Sequence, residues 1–360
     1  MTEAAPVPPV DRAGLRQRVD ASLARFLARQ RGWMSGVDDG LVPVADALEA
    51  FVLGGGKRLR PAFAYWGYRG AGGADSNEIV DGLAALEFVQ ASALIHDDLM
   101  DRSDTRRGEP SVHRRFAAHH RAAGWAGEPD SFGESSAILL GDLCLVWSDE
   151  LLHGSGIDPV VVSRARPVFD EMRAEVTIGQ YLDVLTQATR DTSVERASKV
   201  ARYKSAKYTV ERPLLFGAAL ADASAEVRAA FSGYGLPLGE AFQLRDDVLG
   251  VFGDPGQTGK PAGDDLREGK RTYLVAAAFE ATDPAGRELL TRRLGDPGLD
   301  PTGVDELREV ITGSGALDRT ERRIATLTDT ALTALVGVEL EAEAREVLVD
   351  LAVVATRRKD

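Results

Sequence analysis

Residues 83–101 read LAALEFVQASALIHDDLMD, a long apolar run that ends in a cluster of acidic residues. Its apolar side chains recur every three to four residues, which predicts a helix buried on most of its surface. Asp97 and Asp101 stand at positions i and i+4, so on that helix they share one face, one turn apart. Like charges at this spacing destabilise a helix unless a cation binds them. Because carboxylate oxygens suit Mg²⁺, the end of this helix is a candidate magnesium site.

Segments with the same helical spacing recur along the chain, and they determine the predicted fold class. They are residues 44–53, 79–95, 138–152, 160–184, 227–252, 272–281 and 331–354. No sustained alternation rich in Val, Ile and aromatic residues is present, so we expect an all-α protein without a sheet. No fixed repeat and no Pro- or Ser-rich linker divides the chain. The simplest organisation is one large helical domain, residues 13–360, after a flexible tail of residues 1–12.

Composition narrows the class of protein. The chain has 360 residues, with 43 Lys and Arg against 56 Asp and Glu, and its net charge is −13. That balance argues against a general nucleic-acid binder, which would carry a basic surface. Cys144 is the one cysteine, so no intrachain disulfide can form and a cytoplasmic protein is expected. No apolar run approaches the ~20 residues of a membrane span, and the first residues do not read as a signal peptide.

Basic residues come after the acidic cluster, and a second acidic cluster later in the chain is also followed by basic residues. Arg106 and Arg107 come directly after the first cluster, and guanidinium groups bind phosphate in a fixed fork. Asp246 and Asp247 end another apolar run and are followed by Lys260 and by DDLREGKR at residues 264–271. Two acidic helix ends of this kind could face each other across a bundle. Metal ions and a diphosphate would fit between them.

A third element reads GGGKRLRP at residues 54–61. Glycine lets a backbone approach an anion closely, and three basic residues in four supply positive charge. The spacing of a P-loop is absent, so this is not a nucleotide-binding loop of that type. Each element alone is compatible with a turn or a solvated helix end, but the three together predict a site for diphosphates.

In order and separation, these three elements resemble the motifs of the trans-isoprenyl diphosphate synthases, or polyprenyl synthetases, over about residues 45–275. The resemblance implies a helical bundle of the isoprenoid synthase type with a central cavity. It implies a Mg²⁺-dependent, head-to-tail condensation of isopentenyl diphosphate with an allylic diphosphate. It also implies a homodimer and about three Mg²⁺ ions in each active site, held by carboxylates and substrate phosphates.

The resemblance assigns roles residue by residue. The metal ligands would be Asp97, Asp98, Asp101 and Asp246. The catalytic residues would be Asp97, Asp101, Arg106, Lys204, Asp246 and Lys260. The substrate-binding residues would be Lys57, Arg60, Gln90, Arg106, Arg107, Lys204, Ser205, Gln243, Lys260 and Lys270, with Arg357-Arg358-Lys359 as a further candidate for isopentenyl diphosphate. Gly250 departs from the family pattern, because it stands where a third acid often completes the second motif, and this puts the third metal site in doubt.

The resemblance also implies how long the product is. In the family the growing chain descends along the helix of the first motif, and a bulky residue four or five positions before the first Asp stops it. Here those positions hold Ala93 and Ser92, which are small, and Val89 lies one turn further down. Trp147 is a candidate cap deeper in the channel. We therefore expect a C20 product, geranylgeranyl diphosphate, with farnesyl diphosphate or a product of C25 and longer as alternatives.

Two other classes remain to be weighed. A class I terpene cyclase would share the acidic cluster that ionises the substrate, but its second metal motif, N/D-x-x-S/T-x-x-x-E, does not accompany Asp246. A non-catalytic regulatory subunit of a heteromeric synthase usually loses an aspartate motif. The first motif is intact here and favours catalysis, whereas Gly250 leaves the regulatory alternative open.

Overall fold

The computed structural model describes residues 8–253, 263–296 and 298–356, and helices make up almost all of their regular structure. The prediction of an all-α protein is confirmed. The prediction that no sheet is present is wrong in one detail, because Thr105–Arg106 (β1) and Glu109–Pro110 (β2) form an antiparallel hairpin. Its two-residue turn, Arg107 and Gly108, has φ of 54° and 79°, as hairpin turns with matching twist require. Strands of two residues are too short to show alternation.

The helices are, in chain order, α1 (Leu15–Val37), α2 (Val42–Leu53), α3 (Leu59–Gly70), α4 (Asn77–Met100), α5 (Val112–Ala123), α6 (Pro129–His153), α7 (Pro159–Thr189), α8 (Val194–Val200), α9 (Arg212–Leu220), α10 (Ala225–Phe252), α11 (Asp264–Glu268), α12 (Tyr273–Ala281), α13 (Pro284–Arg293), α14 (Pro301–Gly313), α15 (Ala316–Ala334) and α16 (Ala342–Thr356). A π-helix, Ala201–Glu211, lies between α8 and α9. Short 3-10 segments are Pro9–Gly14 and Asp39–Leu41. Of the expected tail, residues 1–7 lie outside the described residues.

Contacts along the chain group into two compact units. One consists of Met1–Phe169, Pro213–Ser224 and Leu340–Leu348, and the other of Asp170–Arg212, Ala225–Glu339 and Val349–Asp360. In the first unit, α4 packs against α6, α1 and α3, and α5 packs against α6. In the second unit, α10 packs against the π-helix and α15, and α12 packs against α8 and α15.

Helix α4 is the central element of the first unit. It begins where the Ser76 hydroxyl accepts a hydrogen bond from the Ile79 N–H, a standard N-cap. Within the described part of the chain it is the one helix long and apolar enough to cross a membrane by length and composition alone. Of its most apolar window, 72% is buried inside the protein, as in a core helix. Its acidic end is thereby held on a rigid, buried support.

Candidate active site

The first acidic cluster lies at the carboxyl end of α4. The helix ends at Met100, and the Asp101 N–H still donates to the Asp97 carbonyl at 2.8 Å. The backbone of Asp101 keeps helical φ and ψ angles (−83° and −4°). Asp97 and Asp101 therefore lie one turn apart on one face, as their spacing predicted.

Asp98 is turned away from that face and paired with an arginine. Its side chain is 1% exposed, and Arg106 Nε donates to its two carboxylate oxygens at 2.9 and 3.2 Å. A second guanidinium nitrogen of Arg106 also contacts it. Both carboxylate oxygens of Asp98 therefore already have a cationic partner, and its role as a metal ligand stays a prediction. The Nη2 atom of Arg106 lies 3.9 Å from Asp97 Oδ2, so the guanidinium sits beside the first motif.

The basic loop before α3 is fixed to α4 by a buried ion pair. Arg58 Nη1 lies 2.6 Å from Glu87 Oε2, and the two side chains are 4% and 7% exposed. Arg58 also binds Asp20 at 2.7 Å and donates to the Val52 carbonyl at 2.8 Å. Neither member of the pair was predicted from the sequence. The available signal was Glu87, an acid inside a run that is otherwise apolar, because a buried carboxylate needs a partner.

Arg107 joins this loop to the hairpin. Its Nη1 donates to the Gly55 carbonyl at 2.6 Å. Burial lowers the pKa of Arg107, attraction to Glu87 opposes that shift, and repulsion from Arg58 and Arg106 adds to it. A guanidinium stays protonated at neutral pH nonetheless. Mutually repelling arginines at one place favour the binding of an anion.

The other predicted substrate residues of this unit lie on the same elements. Lys57 precedes α3, and Arg60 stands in its first turn, where backbone N–H groups and the helix dipole favour anions. Gln90 lies on α4, seven residues before Asp97, which is two turns.

The chain-length candidates Val89, Ser92 and Trp147 are all buried, and Ala93 is partly exposed.

The second acidic cluster lies near the end of α10. Asp246 is partly exposed, whereas Asp247 is 3% exposed and accepts a hydrogen bond of 2.8 Å from the Gln243 amide. Burial raises the pKa of Asp247 to about 8, and repulsion from Asp265 and Asp246 adds to the shift. Carboxylates that resist ionising together favour a neighbouring cation.

Position 250 has no acid, but a neighbouring acid lies against it. A Cβ built on Gly250 would stand 2.0 Å from Asp265 Oδ2, so no other residue fits there without displacing that carboxylate. Asp265 belongs to α11, which begins after a loop. The Lys270 N–H donates to the Asp265 carbonyl at 2.9 Å, and its Nζ lies 2.6 Å from Glu268 and 3.8 Å from Asp265. Lys270 is thereby held next to the second cluster.

Lys204 and Ser205 lie on the π-helix. Long π-helices are rare, and shorter ones are frequent at functional sites. Lys204 Nζ lies 2.7 Å from Asp183 Oδ2, an acid on α7 that was not predicted as a site residue. The available signal was Gly179 on the same helix, where an added Cβ would stand 2.3 Å from the Lys204 backbone nitrogen. A glycine inside a helix often marks such a close approach.

Lys260 and Arg357-Arg358-Lys359 lie outside the residues that the structure describes. Among residues 8–253, 263–296 and 298–356, no group of three or more His, Cys, Asp and Glu side chains is arranged to hold an ion. Asp97 and Asp101 are thus an open pair of donors at the end of α4, and Asp246 is a separate donor near the end of α10. Each fits Mg²⁺ by its chemistry, since this ion usually takes one or two protein carboxylates and completes its shell with water and phosphate.

Comparisons with known proteins agree with this chemistry. The model of the polyprenyl synthetase family matches residues 43–311. A geranylfarnesyl diphosphate synthase from Aeropyrum pernix is 33% identical over 302 residues, 82% of this chain and 88% of the relative. A geranylgeranyl diphosphate synthase from Methanosarcina mazei is 35% identical over 249 residues, 67% of this chain and 71% of the relative.

A solved structure matches most of the chain. It is a geranylgeranyl pyrophosphate synthase from Corynebacterium glutamicum, complexed with isoprenyl diphosphate and magnesium. The TM-score is 0.92 at 41% identity, over 96% of this chain and 98% of that one. The chain belongs to the polyprenyl synthetase family, as its three motifs predicted. Its enzyme class is therefore that of the trans-prenyltransferases, and the isoprenoid synthase fold is confirmed.

Proposed function

We propose that this enzyme condenses isopentenyl diphosphate with allylic diphosphates and stops at C20, geranylgeranyl diphosphate. The observation that carries the proposal is the α4 helix itself. It presents Asp97 and Asp101 at its end, beside Arg106, and has the small side chains of Ser92 and Ala93 one turn below. Relatives with names for C20 and C25 products are about equally similar to this chain, so its own residues must set the product length.

Asp97, Asp101 and Asp246 would hold magnesium, with about three ions in each site as the resemblance implies. Mg²⁺ would share its shell between these carboxylates and the diphosphate oxygens. When bound, the metal draws negative charge onto the leaving diphosphate and so favours ionisation of the allylic substrate. Asp98 acts indirectly, by orienting Arg106. Asp265, on α11, supplies to the second motif the carboxylate that position 250 of α10 lacks.

The cationic side chains divide between the two substrates. The allylic diphosphate is bound by Arg106, Lys204 and Lys260. To bind it, Lys204 gives up its ion pair with Asp183. Lys57, Arg60, Gln90 and Arg107 bind isopentenyl diphosphate, with the cationic C-terminal residues 357–359 as a further contribution. Ser205 supports Lys204, Gln243 lies near the reacting carbons, and Lys270 covers the loaded site.

The reaction then needs no protein base. The C–O bond of the allylic substrate breaks, its electron pair leaves with the diphosphate, and fixed cations stabilise that charge. The alkene of isopentenyl diphosphate attacks the allylic carbocation and forms the new C–C bond. The released diphosphate takes the proton that is lost. Water must be excluded, because it would quench the cation.

We further propose that the enzyme works as a cytoplasmic homodimer paired through α6. That helix exposes Ile138, Leu139 and Val146, whose exposed fractions are 49%, 65% and 60%. Leu139 and Val146 are seven residues apart, so they lie on one face of the helix. A second copy of the chain would cover this apolar face, which a monomer would leave in water. Light scattering of Leu139→Lys/Val146→Lys should show monomers where the wild type shows dimers, and dimers of the double variant would contradict this interface.

The activity is tested with the purified chain alone. It is incubated with Mg²⁺, labelled isopentenyl diphosphate and dimethylallyl, geranyl or farnesyl diphosphate, and compared with Asp97→Asn and Asp246→Asn. We expect condensation that needs Mg²⁺ and falls by at least about a hundredfold in either variant. Absence of condensation with every primer would overturn the proposal. In that case turnover of geranylgeranyl diphosphate alone would indicate a cyclase, and recovery on adding a partner synthase subunit would indicate a regulatory chain.

A further inference from the structure

Two glycines bring the π-helix of the second unit against two α-helices. Gly179 lies on α7 and Gly239 on α10. A Cβ built on Gly179 would stand 2.3 Å from the backbone nitrogen of Lys204, and a Cβ built on Gly239 would stand 2.4 Å from the carbonyl oxygen of Ala206. We name these two glycines the glycine slot. Because both obstructing atoms belong to the backbone, rotation of a side chain cannot make room for a larger residue at either position.

Ion pairs on the same face of α7 extend its contact with the π-helix. Glu175, Gly179 and Asp183 recur every four residues, so they lie along one face of α7. On one side of the glycine, Glu175 forms an ion pair with Lys207. On the other side, Asp183 binds Lys204 at 2.7 Å. This face of α7 therefore follows the π-helix over about two turns.

The contact with α10 also combines a glycine with an ion pair. Glu240 comes directly after Gly239, is 7% exposed and accepts a hydrogen bond of 2.7 Å from Arg202 Nε. Arg202 precedes Lys204 on the π-helix, and Lys207 follows it. The π-helix is thus tied to α10 before Lys204 and to α7 after it.

A π-helix of this length needs such support. π-helices are rare and mostly single turns inside α-helices, whereas this one has 11 residues. Unfavourable backbone arrangements persist only where the surrounding structure holds them. If the segment formed the hydrogen bonds of an α-helix instead, Lys204 would rotate about the helix axis and its ammonium group would move.

We propose that Gly179 and Gly239 are positioning residues for Lys204, because the glycine slot fixes the backbone from which this lysine reaches the allylic diphosphate. The inference rests on the proposed function, which assigns Lys204 to that diphosphate. Lys57 and Arg60, which are assigned to isopentenyl diphosphate, belong to the first unit. A change in the slot should therefore weaken binding of one substrate and leave the other unaffected.

The test measures KM for farnesyl diphosphate and for isopentenyl diphosphate in wild type, Gly179→Ala and Gly239→Ala. In each slot variant we expect the first KM to rise at least about tenfold and the second to stay within about twofold, since displacing a binding group by about 1 Å weakens its contact steeply. Gly67→Ala is the matched control, because a Cβ there would stand 2.5 Å from the carbonyl oxygen of Leu214 in the first unit. It should lose thermal stability as the slot variants do, without separating the two KM values.

A double variant distinguishes positioning from general loosening. In a Lys204→Ala background, Gly239→Ala should add nothing to the KM for farnesyl diphosphate, because the lysine that the slot positions is absent. A full further rise would overturn the inference. Arg202→Gln is a milder variant, which keeps both glycines and releases the tie to Glu240, and it should raise the same KM by a smaller factor. If the glycine variants do not fold, an unchanged KM in Arg202→Gln would overturn the slot.

Binding of inorganic diphosphate with Mg²⁺, measured by calorimetry, separates the slot from the proposed function. If the wild type condenses and the folded slot variants keep its KM for farnesyl diphosphate and its affinity for diphosphate, the slot is wrong and the proposed function stands. If the wild type does not condense but the slot variants, unlike Gly67→Ala, bind diphosphate more weakly, the proposed function is wrong and the slot stands. A wild type that neither condenses nor binds diphosphate would overturn both.

Discussion

The carboxylate of Asp265 lies where a side chain at position 250 would have to be, since a Cβ on Gly250 would stand 2.0 Å from Asp265 Oδ2. The absence of an acid at position 250 therefore goes together with the presence of the Asp265 carboxylate at the same place. An acid carried by α11 takes up the space beside α10, next to Asp247. Any larger residue at position 250 must therefore move the carboxylate of Asp265.

Restoring the usual acid should harm this enzyme. Gly250→Asp places a second carboxylate on top of Asp265, so we expect kcat/KM to fall at least about tenfold, a loss of ~1.4 kcal/mol in transition-state stabilisation. Gly250→Ala adds a Cβ without a charge and is the control; it should lose less, because the end of the Asp265 side chain can move aside. The double variant Gly250→Asp/Asp265→Gly should recover part of the loss. Wild-type kcat/KM in Gly250→Asp alone would contradict the coupling.

Asp98 is expected to act through Arg106. Asp98→Asn removes the charge that holds the guanidinium, and we expect kcat to fall about tenfold to a hundredfold, since hydrogen bonds to charged groups are worth about 1.5–3 kcal/mol. Arg106→Lys should not substitute for arginine, because an ammonium cannot bind both carboxylate oxygens in a fork. Steady-state kinetics with varied Mg²⁺ distinguish the roles. A shift in the Mg²⁺ requirement of Asp98→Asn as large as that of Asp97→Asn would show that Asp98 is a metal ligand after all.

The buried pair of Arg58 and Glu87 should dominate the stability of the basic loop. Glu87→Ala leaves the buried guanidinium with Asp20 as its remaining carboxylate partner, and breaking a buried pair costs about 3–5 kcal/mol. Arg31→Ala is the control, because Arg31 pairs with Asp46 and Glu49 at the surface, and such pairs contribute about 0–1 kcal/mol. Urea unfolding of both variants measures the difference. Equal, small losses in the two would show that the loop is held by something else.

Much of the first motif could be predicted from the sequence, because helical periodicity alone places Asp97 and Asp101 on one face. Side-chain pairs between residues far apart in the sequence could not be predicted. The side chain of Asp98 is bound because a two-residue hairpin returns Arg106 to it, and that hairpin leaves no periodic signal. Asp183 and Lys204 meet because a π-helix approaches α7 at Gly179. Both pairs depend on tertiary packing, and the spacing of residues along one helix carries no information about that packing.

Cys144 is expected to be inert in the folded protein. The thiol is fully buried on α6, and burial raises its pKa far above the ordinary value, so the thiol stays protonated at neutral and mildly alkaline pH. Since only the thiolate attacks disulfide reagents, native protein should not react with Ellman's reagent between pH 7 and 9. Protein unfolded in guanidinium should release one equivalent of the coloured thiolate at once. Rapid labelling of native enzyme would show that this part of α6 opens.

Filling the channel that the family resemblance implies along α4 should shorten the product. Ser92 is 2% exposed and lies one turn above Phe88 on α4. Ser92→Phe introduces a ring at that level, so we expect C15 in place of C20, with condensation onto dimethylallyl diphosphate retained. Ser92→Ala, which keeps the space open, is the control. An unchanged product from folded Ser92→Phe would remove this face of α4 from the channel.

The central claim, synthesis of a C20 product, is tested most directly by mass spectrometry of what the wild-type enzyme makes. Purified enzyme, Mg²⁺, farnesyl diphosphate and excess labelled isopentenyl diphosphate are incubated to completion, and the dephosphorylated products are sized. We expect one condensation for each primer and a dominant C20 alcohol. A dominant product of C25 or longer, or no product beyond the C15 primer, would contradict it.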